Sequence, residues 1–127
     1  MLASDIMTRR VYTTSPQTSV QEVAQLLHRE RISGVPVIDD RGQLIGMITE
    51  ADIIRNIGRD DLKVADIMSC QLITVSEDTS VSDIAALLAE RRIKRVPVVQ
   101  EGKVIGIVSR ADIVQAVALG HLVIRQW

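Results

Sequence analysis

Two stretches of the chain carry side chains that could hold a small polar molecule. They are Gly46-Met47-Ile48-Thr49-Glu50-Ala51-Asp52 and, sixty residues on, Gly106-Ile107-Val108-Ser109-Arg110-Ala111-Asp112. In each, a hydroxyl stands three residues before a carboxylate. At the start of a helix that spacing has two meanings. In one, Thr49 and Ser109 are N-caps, and Asp52 and Asp112 sit at the third helical position near the positive end of the dipole, as in a capping box. In the other, the helix start offers N–H groups and partial positive charge to a phosphate. The hydroxyl then adds a hydrogen bond to that phosphate, and the aspartate accepts two from the paired hydroxyls of a ribose. The two uses share one geometry and are compatible, so the spacing alone leaves both open.

The elements that must position these residues are legible because the whole sequence is duplicated. At an offset of 61, Asp5-Ile6-Met7 becomes Asp66-Ile67-Met68, Thr18-Ser19-Val20 becomes Thr79-Ser80-Val81, and Val35-Pro36-Val37 becomes Val96-Pro97-Val98. One residue then drops out and the two motifs align at an offset of 60. Between Asp5 and Asp40, sixteen of thirty-six aligned positions are identical. Such a chain is expected to be pseudo-symmetric, with any site between the halves present twice.

One repeat reads as β-α-β-β-α. Residues 18–31 show helical spacing, with Val20, Val23, Ala24, Leu26 and Leu27 on one side and Thr18 or Ser19 as the cap. The copy at 79–92 repeats it with Val81, Ile84, Ala85, Leu87 and Leu88. Val35-Pro36-Val37-Ile38 reads as a strand, with Pro36 at its start or edge because proline cannot donate to a ladder. Asp39-Asp40-Arg41-Gly42 is a hairpin turn leading into 44–48, and its counterpart Gln100-Glu101-Gly102 is one residue shorter. A second helix is expected from Thr49 to about Gly58, ended by that glycine. A short strand at 11–14, matched at 72–75, precedes the first helix. The spacing gives an α/β chain of mixed helix and strand, with repeats at 5–58 and 66–117, a charged linker at 59–65 and a tail at 118–127.

Bulk properties bound the rest. With 127 residues the chain suits one compact domain or two small packed halves. Each repeat alone would bury too little apolar surface, so the halves are expected to share a core. No apolar run approaches the roughly 18 residues that a membrane span needs. Residues 1–5 have no basic or apolar leader character. The single Cys70 excludes an internal disulfide and fits a reducing, cytoplasmic location. A net charge of −1 and two aromatic residues, Tyr12 and Trp127, disfavour nucleic acid. No glycine-rich phosphate loop is present. His28 and His121 have no repeat partners and no ligand cluster at metal spacing, so neither a metal site nor catalysis is expected.

The pattern as a whole resembles the cystathionine β-synthase domain, or CBS domain. The residues that carry the resemblance are Asp-Ile-Met, the Thr-Ser-Val helix start, Ile32-Ser33-Gly34-Val35-Pro36-Val37, Ile93-Lys94-Arg95-Val96-Pro97-Val98 and the two closing Thr/Ser-x-x-Asp motifs. It covers residues 5 to 117 twice in tandem, a Bateman module. The resemblance implies a non-catalytic sensor that binds AMP, ADP or ATP, with S-adenosylmethionine as a further candidate, in clefts between repeats. It implies that one site uses Thr49 and Asp52 with Ile73, Ile93, Lys94, Arg95 and Val96. The other would use Ser109 and Asp112 with Tyr12, Ile32, Ser33, Gly34 and Val35. The aspartates would hold ribose and the hydroxyls would touch phosphate.

The copies diverge at these positions. Lys94 and Arg95 correspond to Ser33 and Gly34, so the Thr49/Asp52 site gains two candidate cations for a polyphosphate. Tyr12, in the other set, either covers an adenine face or packs. The expectation is that the Thr49/Asp52 site takes the more phosphorylated ligand. Such pairs commonly form homodimers through their helices, and the small residues of Ile84-Ala85-Ala86-Leu87 suit close packing, though the same stripe suits an internal core. The response would pass to an unnamed protein target. A ligand-free dimerisation scaffold, or a detached regulatory piece of a larger protein, is the alternative.

Overall fold

A computed structural model describes residues 1–122. Its elements in chain order are helix α1 (Ala3–Ile6), α2 (Val20–Glu30), strands β1 (Gly34–Ile38) and β2 (Leu44–Thr49), α3 (Glu50–Ile54), α4 (Val64–Ile67), α5 (Val81–Arg91), β3 (Arg95–Gln100), β4 (Lys103–Ser109) and α6 (Arg110–Ala118). The mixed helix and strand architecture agrees with the sequence reading. The tail residues Val123, Ile124 and Trp127 lie outside the described residues.

The two long helices start where the caps predict. Ser19 Oγ accepts from the Glu22 amide and Ser80 Oγ from the Asp83 amide, both at 3.1 Å. Each ends on an arginine in the left-handed region, Arg31 and Arg92. Strands β1 and β2 pair antiparallel, as do β3 and β4, each with a bulge in which Ile45 or Ile105 is the extra residue. The first turn closes through Asp39, whose Oδ1 accepts from the amides of Arg41 and Gln43 at 2.9 Å. The shorter second turn puts Glu101 and Gly102 at positive φ, as a two-residue hairpin loop requires.

Pro36 sits inside β1 without costing the hairpin a bond. Its partner in register is Met47, whose amide and carbonyl are both bonded to Ser69 instead, at 2.9 and 2.8 Å. The Pro36 carbonyl faces the other edge and accepts from the Thr14 amide at 3.0 Å. This edge corrects the sequence reading. The strands expected at 11–14 and 72–75 are single-residue parallel bridges, Thr14 to Val37 and Val75 to Val98. The second helix of the first repeat is also shorter than expected. Helix α3 stops at Ile54, and turns continue to Gly58, which takes a φ of 91°. The Asn56 side chain donates to the Asp52 carbonyl at 2.7 Å, a bond that competes with helix propagation.

The chain divides into two compact units whose boundaries differ from those of the repeats. One is Tyr12–Leu72; the other joins Met1–Val11 to the chain from Ile73 onward. The core of the first gathers Val23, Leu27, Val35, Val37 and Ile48 with Val64, which comes from the segment read as a linker. The core of the second gathers Val75, Ile84, Leu88, Val96, Val98 and Val108 with Ala3 and Met7. Each hairpin therefore receives the Asp-Ile-Met segment of the other repeat. Asp5 and Asp66 serve these entries, accepting from the amides of Leu2 and Lys63 at 2.7 Å.

The glycine that opens each motif makes this packing feasible. A methyl group on Gly106 would come within 2.6 Å of Met7 Sδ, and one on Gly46 within 2.9 Å of Met68 Sδ. Thus Gly46 and Gly106 leave room for the exchanged methionines.

Candidate functional site

Each motif stands where a hairpin strand passes into a helix. In the Tyr12–Leu72 unit, Thr49 pairs in register with Gly34, and the Glu50 amide donates to the Ser33 carbonyl at 2.9 Å. In the other unit Ser109 pairs with Arg95, and the Arg110 amide donates to the Lys94 carbonyl at 3.0 Å. The register thus seats Ser33 and Gly34 beside Thr49, and Lys94 and Arg95 beside Ser109.

Both motifs form complete capping boxes. The Thr49 amide and hydroxyl donate to Asp52 Oδ2 at 2.9 and 3.1 Å, and the Asp52 amide donates back to Thr49 Oγ1 at 3.4 Å. The corresponding distances for Ser109 and Asp112 are 2.8, 3.1 and 3.3 Å. The capping function is therefore met in full at both positions. One carboxylate oxygen of each aspartate lies beyond the box.

That second oxygen is where the motifs part. Asp52 Oδ1 accepts from Arg55 Nη2 at 2.5 Å, whereas Asp112 Oδ1 accepts from the Thr8 hydroxyl at 3.1 Å. The sequence reading missed both donors. Arg55 had a signal, since a basic residue three positions after an acidic one on a helix faces it. Thr8 had a fainter one, the recurrence of a hydroxyl after Asp-Ile-Met at Thr8 and Ser69. Its proximity to Asp112 follows only from the exchange of α1.

The remaining candidate residues differ in what they can offer. Val35 and Val96 are buried in the two cores, so a ligand could meet only their backbone. Ile32 and Tyr12 pack partly on one core, and Ile73 and Ile93 on the other. The Tyr12 hydroxyl donates to Glu30 Oε2 at 2.8 Å, which fixes its ring at the margin of its unit. Gly34 is buried, Ser33 and Arg95 are half-buried, and Lys94 is exposed. Of the two candidate sets, Thr49 and Asp52 lie in the Tyr12–Leu72 unit and Ile73, Ile93, Lys94, Arg95 and Val96 in the other. Ser109 and Asp112 belong to that latter unit, and Tyr12, Ile32, Ser33, Gly34 and Val35 to the former. Among the described residues, no group of three or more His, Cys, Asp or Glu side chains could hold a metal ion. No described helix is long and apolar enough to cross a membrane.

These features have close counterparts among known proteins. The CBS domain family profile matches residues 3–59 and again residues 64–119. The CBS domain-containing protein YhcV of Bacillus subtilis is 34% identical over 113 residues, which span 86% of this chain and 80% of that protein. The solved CBS domain pair of protein MJ0100, in complex with 5-methylthioadenosine and S-adenosyl-L-methionine, is similar at a TM-score of 0.88. It is 30% identical, with 94% of this chain and 98% of that one covered. CBSX2 of Arabidopsis thaliana, in complex with AMP, gives a TM-score of 0.86 at 32% identity, covering 95% and 98% of the two chains. Several curated relatives are longer: the chain spans 60% of one and 38% of another. With the profile matched twice and the fold shared with solved CBS pairs, the chain belongs to the CBS domain family as a tandem pair.

Proposed function

We propose that this chain is a non-catalytic regulatory module that binds adenosyl nucleotides of the AMP, ADP or ATP class through its Thr49/Asp52 and Ser109/Asp112 motifs. The observation that carries the reading is the repeated capping box with an aspartate oxygen left outside it. A carboxylate so placed can accept from a ribose diol without giving up the helix start. The likeness to CBS pairs solved with AMP and with S-adenosyl-L-methionine supports the same ligand class. Binding would matter through its preference for one of two conformations, which a protein target then reads.

Homodimerisation is part of the proposal. Ile54 and Val114 stand at equivalent positions of the two repeats, and both are exposed, at 68% and 65%. Ile57 and Leu119 extend the apolar character on the same segments. In the stripe Ile84-Ala85-Ala86-Leu87, by contrast, Ile84 is buried in the core and Leu87 packs against it. A cytoplasmic location is the reading that the exposed lone thiol of Cys70 supports.

A ligand-free scaffold is the second reading. It is favoured by the saturation of both boxes: among the described residues, no buried side-chain polar atom lacks a partner. Thermal denaturation separates the two, because a ligand that binds only the folded state raises the midpoint. The nucleotide reading expects a rise with AMP, ADP or ATP. A flat response to these and to S-adenosylmethionine would leave the scaffold.

A further inference from the structure

We propose that Arg55 is a specificity-determining residue that makes the Asp52 motif selective for ligands carrying an anionic group; this rests on the nucleotide reading above. The two boxes are alike at Oδ2 and unlike at Oδ1. A carboxylate has about four lone-pair sites, so a ribose diol seeking two of them must use the oxygen outside the box. At Asp112 the diol competes there with a neutral hydroxyl, that of Thr8 at 3.1 Å. At Asp52 it competes with a guanidinium at 2.5 Å. Both bonds have an ionised acceptor, but only the Arg55 bond also joins opposite charges, so it is the harder of the two to displace. The position equivalent to Arg55 in the second repeat is Gln115, so the difference is written into the sequence.

Burial decides how the exchange proceeds. The Asp52 side chain is 7% exposed and the Arg55 side chain 67%. The guanidinium can swing toward solvent, but the carboxylate stays in place and loses its counter-charge. A neutral nucleoside offers only hydroxyls in return. A nucleotide offers hydroxyls to Asp52 and, on the same ribose, a phosphate to the departing guanidinium. The guanidinium thus exchanges one anion for another, whereas with a neutral nucleoside its ion pair with Asp52 is lost without replacement. Arg55 thus acts as a latch that phosphorylated ligands release and neutral ones do not. The Thr8 hydroxyl imposes no such condition at Asp112.

The test isolates the Asp52 motif in an Asp112→Asn background, which keeps an oxygen for the Ser109 amide. Calorimetric titration with adenosine, AMP and ATP gives the affinity ratio of ATP to adenosine, with and without Arg55→Gln and Arg55→Lys. The expected result is a ratio lowered about tenfold or more by Arg55→Gln, chiefly through tighter adenosine binding. Arg55→Lys, which keeps the charge, should stay within about threefold of the background ratio. Thermal midpoints confirm that the variants are folded; if Asp112→Asn is not, the same ratio is read on Arg55→Gln alone. An unchanged ratio with measurable binding overturns the role of Arg55 and leaves the nucleotide reading standing. No binding of any of the three ligands by the unsubstituted chain overturns that reading, and the role of Arg55 falls with it.

Discussion

Met7 fills the space above Gly106, so closely that a methyl group on the glycine would lie 2.6 Å from its Sδ and 2.9 Å from its Cγ. The two residues are ninety-nine positions apart, and each is part of a repeated motif. Gly106→Ala should therefore overpack the second core and cost about 1–3 kcal/mol. Met7→Ala removes the obstacle, so the double variant should lose less stability than the sum of the two single losses. Denaturant unfolding of the four proteins measures this coupling, and strict additivity would refute the contact.

The exchange of Asp-Ile-Met segments also predicts how the chain can be cut. Residues 12–72 contain every buried member of their core, Val64 included. Residues 5–58 follow the sequence repeat but omit Val64. The fragment 12–72 should accordingly show the more protected amides in hydrogen exchange, although a chain so short is marginal. Residues 66–122 lack Ala3 and Met7 and should show the least structure of the three. Equal protection in 5–58 and 12–72 would mean that the exchanged segment contributes nothing.

These two cases mark what could and could not be read from the sequence. Periodicity, proline, turn glycines and caps are local, and they located α2, α5, both hairpins and both capping boxes. The neighbours of Thr14 and Val75 have strand-like composition, yet each of the two pairs through a single bridge. Pairing depends on the edge that a partner presents, which local composition does not encode. The contacts of Thr8 with Asp112 and of Met7 with Gly106 were hidden for a related reason. An internal alignment shows which residues are equivalent, whereas the exchange concerns which copy each one joins. Asn56, whose side chain competes for the carbonyl of Asp52, ends α3 ahead of the more conspicuous Gly58.

The long helices should respond to loss of their caps independently of any ligand. Ser19→Ala and Ser80→Ala each remove an acceptor for one amide, that of Glu22 or Asp83. Each substitution should lower stability by about 1 kcal/mol. Replacement by Asp should restore most of it, since a carboxylate accepts the same bond near the positive end of the helix. Urea titration provides the measurement, and a loss of under about 0.3 kcal/mol at both positions would show that the caps are dispensable.

Substitutions at the two aspartates should separate the ligand functions of the repeats. Asp52→Ala and Asp112→Ala each remove a proposed ribose acceptor, and each also removes the carboxylate of a capping box. Asp52→Asn and Asp112→Asn retain an acceptor for the Thr49 or Ser109 amide and so serve as the folded controls. With the latch of Arg55 at one site only, substitution of Asp52 should reduce ATP binding more than adenosine binding. Substitution of Asp112, at the motif without the latch, should instead reduce adenosine binding more than ATP binding. Titration of both variants with both ligands provides the comparison, and equal losses throughout would remove the asymmetry between the sites.

Ile54 and Val114 offer a test of assembly that does not depend on nucleotide. Their exposure means that a polar replacement should change the stability of an isolated chain by no more than about 0.5 kcal/mol. At a dimer interface the same replacement would place a charge in an apolar contact without a partner, at a cost of several kcal/mol. Ile54→Asp and Val114→Asp should therefore convert a dimer into a monomer while leaving the circular dichroism unchanged. Sedimentation equilibrium over a range of concentrations gives the mass directly. A dimer mass retained by both variants would show that these residues lie outside the interface, and a monomer mass for the unsubstituted chain would refute homodimerisation itself.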